Sequence, residues 1–348
     1  MNDPARSVPR AAPRLAAVLV GVVALFLLDL ALGSARVPLA EVIRALLGES
    51  TRPEWSAIVL HFRLPRALTA LLAGAALATA GLLMQTLFRN PLAGPYVLGV
   101  SAGASLGVAL VVLGVGAGSA GLLTGFAVGE QVAAVTAAAV GAGAALGLVL
   151  LASRRVSVLT LLVLGLLFGY AAGALVTVLL HFAVAERVRA YVVWTFGSFG
   201  GVPWRELTVL APVLGLGLVL AATLAKPLDA LLLGGAQARA LGVAVERVRW
   251  LTLVATALLA GSVTAFCGPV GFVGVAVPHL ARGLFRTTHH RVLLPATAGL
   301  GALVALAADL LAQLPGHDAV LPLNAVTALL GAPVVAAVVL RRRVDGAF

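Results

Sequence analysis

The sequence predicts an all-α, polytopic membrane protein of about ten transmembrane helices arranged as an inverted-repeat bundle, with both termini in the cytoplasm. Three observations carry that reading. Of 348 residues 61% are hydrophobic and only 11% charged, where a soluble domain carries about a quarter. The mean hydropathy is +1.09. Charges are also clustered, so that no charged residue or histidine falls between Asn90 and Glu130, Arg155 and His181, or Arg249 and His279. A helix needs about 20 apolar residues to cross a hydrocarbon core of roughly 30 Å. Nothing resembles the short alternating segments of a membrane β-barrel.

Residues 1–14 read as a cytoplasmic tail and 15–343 as a single membrane domain, followed by a cytoplasmic tail at 344–348. The apolar run from Leu15 to Leu32 exceeds a usual signal-peptide core, so it reads as an uncleaved first span. The remaining spans fall near 66–87, 96–115, 131–152, 157–180, 206–225, 250–268, 271–285, 292–312 and 322–340. Between them, 33–62 and 183–205 form external elements, the second with Tyr191, Trp194 and Trp204 suited to the interface. The largest internal loop, 226–249, is expected to form two short helices broken near Gly234–Gly235. With the N-terminus inside, 16 of the 24 basic residues lie on the inner side, as the positive-inside rule requires. The +11 net charge therefore reflects topology rather than a nucleic-acid partner, and no soluble basic domain is present.

Two glycine and repeat patterns stand out. Ala70–Gly81 (ALLAGAALATAG) and Ala257–Gly268 (ALLAGSVTAFCG) are alike and run in opposite directions in this topology, the signature of an inverted repeat. Gly165, Gly169 and Gly173 share a helix face, as do Gly121, Gly125 and Gly129, a spacing that lets helices approach closely.

Catalytic and metal motifs fail on inspection. Gly99-Val100-Ser101-Ala102-Gly103 matches a nucleophile elbow but lies in an apolar helical run, where that motif needs a strand-to-helix turn. The six histidines lack helical metal-site spacing, and the sole cysteine, Cys267, excludes an intramolecular disulfide and a cysteine cluster. No metal or cofactor is expected. His289 and His290 sit in a basic inner loop and read as solvated, while Asp29 and Asp309 lie near span ends and read as caps or interface groups. The only lysine, Lys226, lies between Ala225 and Pro227, outside any phosphate-binding loop, so any ATPase is a separate chain.

Ordered motifs point to one family. Arg63-Leu64-Pro65-Arg66, Gly74-Ala75-Ala76-Leu77, Asn90-Pro91-Leu92-Ala93 and Leu98-Gly99-Val100-Ser101 are followed by Gly197–Trp204, Ala238–Gly242, Cys267–Phe272, Pro278-His279 and Gly331-Ala332-Pro333. From about residue 57 onward the chain resembles the FecCD-type permeases, membrane subunits of type II ABC importers for iron–siderophores, haem and vitamin B12. The resemblance implies a bacterial or archaeal inner-membrane location, a homodimer with the pathway at its twofold axis, two ATP-binding subunits inside and an extracytoplasmic substrate-binding protein outside. It also implies that Leu159–Leu180, with Gly165, Gly169 and Gly173, and the last span line the pathway. Asn90, Leu92 and the Ser153–Ser157 turn match the inner gate. The Asp229–Gly242 loop, with Gln237 and Arg239, matches the ATPase-coupling helices. Arg63 and Arg66 match charges that dock the binding protein. Gln313, Val320 and Asn324 depart from the family pattern and bear on docking and substrate. A stand-alone secondary transporter or channel for a small solute is the alternative, and an intramembrane enzyme lacks a nucleophile–base pair.

Overall fold

A computed structural model describes residues 4–33, 36–50, 52–113, 130–153, 155–313 and 320–344. The described chain runs α1 (Pro4–Ala31), α2 (Leu39–Leu47), α3 (Pro53–Phe88), α4 (Val100–Val112), α5 (Glu130–Ser153), α6 (Val158–Phe182) and α7 (Ala185–Thr195). It continues as α8 (Trp204–Thr223), α9 (Ala225–Leu233), α10 (Gly235–Ala240), α11 (Val245–Cys267), α12 (Val273–Phe285), α13 (His290–Ala312) and α14 (Leu323–Val344). Seven helices, α1, α3, α5, α6, α8, α11 and α13, are long and apolar enough to cross a membrane. Shorter apolar helices, α4, α12 and the Leu323–Ala337 part of α14, fall at the third, eighth and tenth expected spans. The Gly121–Gly125–Gly129 series, Arg154 and residues 345–348 lie outside the described residues.

Two boundaries differ from the sequence expectation. The element expected to end near residue 62 is continuous with the second span. Pro53 starts the helix, a π-turn at Ile58–Arg63 absorbs the extra residue, and Pro65 sits in the first turn of the α-helical part. Pro65 can donate no N–H to the turn before it, and the π-turn just upstream is where the helical hydrogen-bond pattern shifts. A second π-turn, Ala257–Gly261, interrupts α11 just where its likeness to α3 begins. The segment matching a nucleophile elbow has no strand before it. Gly99 takes φ +75 and caps α4, which settles that motif as a helix start.

α3 is the hub: it packs against α8, α11, α12 and α13, and its span is the most buried of the seven. Lipid offers no hydrophobic drive for helix association, so close backbone contact must supply the attraction. A Cβ on Gly74 would lie 2.2 Å from the Gly301 carbonyl oxygen of α13, and one on Gly103 would lie 2.4 Å from that of Gly141. The series picked out by sequence behaves differently along its length. A Cβ on Gly165 would close on the Val97 carbonyl, one on Gly169 would meet Ala102 at ordinary contact distance, and one on Gly173 would meet nothing within 4 Å among the described residues.

At the end of the bundle away from most arginines, α1, α3 and α13 meet in a polar cluster that corrects two expectations. Arg63 and Arg66 are not free surface cations. Arg63 is 8% exposed and donates to the Leu30 carbonyl, while Arg66 is paired with Asp309. Asp29 and Asp309 are not helix caps but are 2% and 1% exposed. Gln313 Nε2 donates to both, 3.1 Å from Asp29 and 2.9 Å from Asp309. A neutral amide suits a site that already holds two arginines against two carboxylates. Asn324 also has a structural role, since its Oδ1 accepts from Gly271 N at 2.9 Å. Val320 is exposed.

Candidate gate and coupling site

The site grows from the C-terminus of α3. Arg89 ends that helix in the left-handed region at φ 49, and the chain turns through Asn90–Gly94. Asn90 holds the turn locally, its Oδ1 accepting from Leu92 N at 2.9 Å, and Leu92 is left 47% exposed at its tip. Three neighbours clamp this loop. Arg89 donates through Nη2 to the Leu231 carbonyl of α9 at 2.9 Å. His279 of α12 meets the Pro91 carbonyl at 2.8 Å, which puts a proton on Nε2 because a carbonyl only accepts. One turn before the loop, Gln85 accepts from Arg282 at 2.6 Å and donates to the Val275 carbonyl at 3.1 Å, both on α12.

The expected break in the inner loop occurs at Gly234, whose φ of 118 and contact with Gln237 separate α9 from α10. Leu228 and Leu231 bury one side of α9, leaving Leu232 and Leu233 exposed. Asp229 points back into the bundle. Its Oδ1 accepts from His290 N at 2.9 Å and lies 2.7 Å from His290 Nδ1, and His290 Nε2 lies 2.9 Å from the Thr86 hydroxyl of α3. Burial pushes the Asp229 carboxyl up, but the His290 side-chain and backbone bonds outweigh it and hold the group below its ordinary value. His290, read from sequence as solvated, is 1% exposed. Arg239 lies on the outside of the loop, paired with Glu246 at 2.9 Å with both side chains exposed. Gly242 closes the loop at φ +81 with nothing near it.

The Ser153–Ser157 turn is built from local bonds. Ser153 donates to the Leu150 carbonyl, and Ser157 caps α6 by accepting from Thr160 N. Arg249 of α11 ties this turn down through the Val156 carbonyl at 3.0 Å, while its Nε is buried without a partner among the described residues. Two cavities flank that guanidinium. One, about 450 Å³, is bordered by Asn90, Leu159, Leu162, Leu231, Gly235 and Arg249. The other, about 600 Å³, is bordered by Ser153, Arg155, Glu246, Arg249 and Trp250.

The fold thus brings Asn90, the start of α6 and the α9–α10 break around one cavity and the 153–157 turn against a second, with Arg249 lining both. Arg63 and Arg66 lie apart from it, at the other end of α3. Gly165, Gly169 and Gly173 lie on α6 beyond the first cavity. Sequence reasoning missed Thr86, Arg89, His279, Arg282 and His290. The available signal was weak: His290 and Arg291 stand just before an apolar run, the place where polar residues open a helix.

Comparison with known proteins agrees with this architecture. The family model of the FecCD transport family matches residues 21–341. The vitamin B12 import system permease protein BtuC of Klebsiella pneumoniae is 38% identical over 300 residues, covering 86% of this chain and 87% of that protein. BtuC of Salmonella paratyphi A is 41% identical over 280 residues, covering 79% and 81%. A solved structure described as an inward-facing conformation of an ABC transporter of metal-chelate type superposes with a TM-score of 0.82 at 30% identity, covering 95% of this chain and 99% of that one. With the hub helix, the clamped loop and the broken inner loop in the order its motifs require, this multi-pass chain belongs to the FecCD transport family.

Proposed function

We propose that the protein is the permease subunit of an ATP-binding cassette importer for a metal chelate, working as a homodimer with two ATP-binding subunits and an extracytoplasmic binding protein. The observation that carries this is the direct bonding of the α9–α10 loop to the gate loop, by Arg89 to Leu231 and by Asp229 through His290 to Thr86. On this reading the arginine-rich end is cytoplasmic, α9 and α10 rest on the ATPase through Leu232, Leu233 and Arg239, and their movement is passed to α3. Nucleotide supplies the differential affinity between two states that any conformational change requires. Asn90, Leu92, Ser153 and Ser157 form the inner gate, and the open side of α6 at Gly169 and Gly173 lines the pathway with the partner copy. The chain itself performs no ATP chemistry.

Vitamin B12 is the first cargo to test, since relatives near 40% identity are named for it; haem and ferric siderophores are the comparison ligands. Proteoliposomes carrying this subunit with its ATPase, binding protein and ATP should accumulate chelate. The subunit alone should accumulate none under any proton or sodium gradient, and gradient-driven uptake would replace this reading with that of a secondary transporter.

A further inference from the structure

A third cleft lies at the arginine-rich end, between the end of α8, the start of α9 and the start of α13. It has a volume of about 300 Å³ and two kinds of wall. Lys226, Arg291, Thr223 and His290 supply its polar lining, and Ala222, Leu294 and Pro295 its apolar lining. α8 and α13 are both helices of membrane-crossing length and composition, and each contributes its basic-end turn to the cleft. Lys226 and Arg291 are exposed, and Lys226 is the only lysine in the chain.

We propose that this cleft is a binding site for the phosphate headgroup of an anionic phospholipid, gripped by Lys226 and Arg291 with its glycerol and upper acyl carbons against Ala222, Leu294 and Pro295. Basic pockets between membrane helices on the cytoplasmic side are suited to phosphate headgroups, because the cations meet the phosphate at the depth where lipid presents it. The start of α13 adds the positive end of a 23-residue helix. The nearby acid, Asp229, does not line the cleft: its Oδ1 accepts from His290 N and lies 2.7 Å from His290 Nδ1, and its Oδ2 lies 3.8 Å from His289 Nδ1. The apolar lining distinguishes a lipid from free phosphate: a hydrated ion gains nothing from alanine, leucine and proline, whereas acyl carbons do. His290 lines the cleft and also holds the coupling helix, so a bound lipid would press against the Asp229–His290–Thr86 link. The site depends on the protein lying in a bilayer and not on what it carries.

The test is phospholipid retention by the purified full-length protein, measured by native mass spectrometry after equilibration with mixed phosphatidylglycerol and phosphatidylcholine. Wild-type protein should retain phosphatidylglycerol preferentially. Lys226→Gln and Arg291→Gln should each lower that preference about fivefold, and the pair about twenty-five-fold. Arg247→Gln, an equal charge change at an exposed site outside the cleft, should leave it unchanged. Ala222→Trp should abolish retention by filling the apolar side while keeping both cations, and it decides the matter if the double variant does not fold. Undiminished preference in both the pair and Ala222→Trp, an equal loss in Arg247→Gln, or displacement of the lipid by inorganic phosphate would overturn the proposal.

Discussion

Arg66 and Asp309, 243 residues apart in sequence, meet in a two-pronged pair: Nε lies 2.7 Å from Oδ2 and Nη2 lies 2.8 Å from Oδ1. The planar guanidinium matches the carboxylate edge, which a lysine could not do. Asp309 is 1% exposed, and the pair fixes the register of α3 against α13 at one end, while Gly74 and Gly301 fix it midway along.

Breaking this pair leaves a buried charge without its counterion, which costs about 3–5 kcal/mol. Asp309→Ala or Arg66→Ala should therefore lower the denaturation midpoint in detergent sharply. Arg66→Met combined with Asp309→Leu should lose less than either single change, because no charge is left stranded. A double variant as unstable as the sum of the singles would contradict the geometry.

The Asp229–His290–Thr86 link makes a sharper statement about coupling. Hydrogen bonds to charged groups are worth about 1.5–3 kcal/mol, enough to hold α9 to α3 through a conformational cycle. Asp229→Asn, His290→Ala and Thr86→Val should each leave ATPase assembly intact and cut transported substrate per ATP about tenfold, and Thr86→Ser should restore it. Asp229→Asn and Thr86→Val together should do no more than either alone if they break one linkage.

Acid should expose the same contact. The Asp229 carboxyl is held below its ordinary 3.8 in the folded protein, so its stabilising contribution is complete above that value. It is lost as pH falls through the depressed folded value. Wild-type unfolding in detergent should steepen with acid below about pH 4, and Asp229→Asn should lack that part of the slope. Identical acid profiles would remove Asp229 from the link.

Glycines separate packing from pathway. A Cβ on Gly81 would fall 1.7 Å from the Gly274 carbonyl oxygen, a backbone atom that cannot move aside, whereas Gly173 has open space around it. Gly81→Leu should cost more than the roughly 1–3 kcal/mol of ordinary overpacking and prevent accumulation of folded protein. Gly173→Leu should fold normally and block transport, as measured by uptake against yield of folded complex. Normal uptake by Gly173→Leu would remove that face from the pathway.

Gly242 tests the inner loop without touching a neighbour. Its φ of +81 costs an L-residue about 1–2 kcal/mol, and nothing lies within 4 Å to clash. Gly242→Leu should lower stability by no more than about 1–2 kcal/mol and weaken co-purification of the ATPase or uncouple its hydrolysis from uptake.

The sequence by itself determined that the chain is a helical membrane protein, because a run of apolar residues with no charge has only one stable form in lipid: the helix that satisfies its own backbone. It also determined where the inner loop breaks, because a glycine between two short helical segments is a local signal that the φ of Gly234 repeats. Asn90 and Ser157 were singled out through the family resemblance alone, and in the structure each bonds within three residues of itself. What only the tertiary structure decided is how polar groups distant in sequence pair in space. Asp29, Arg66 and Asp309 come from α1, α3 and α13, with Gln313 at the C-cap of α13, and Asp229, His290 and Thr86 come from α9, α13 and α3. A buried polar side chain must find a partner wherever the fold supplies one. Periodicity cannot announce that partner when every face of a membrane helix is apolar. His290 therefore looked like one more solvated loop residue, and Arg66 like a free surface charge, until the helices that neutralise them were brought together.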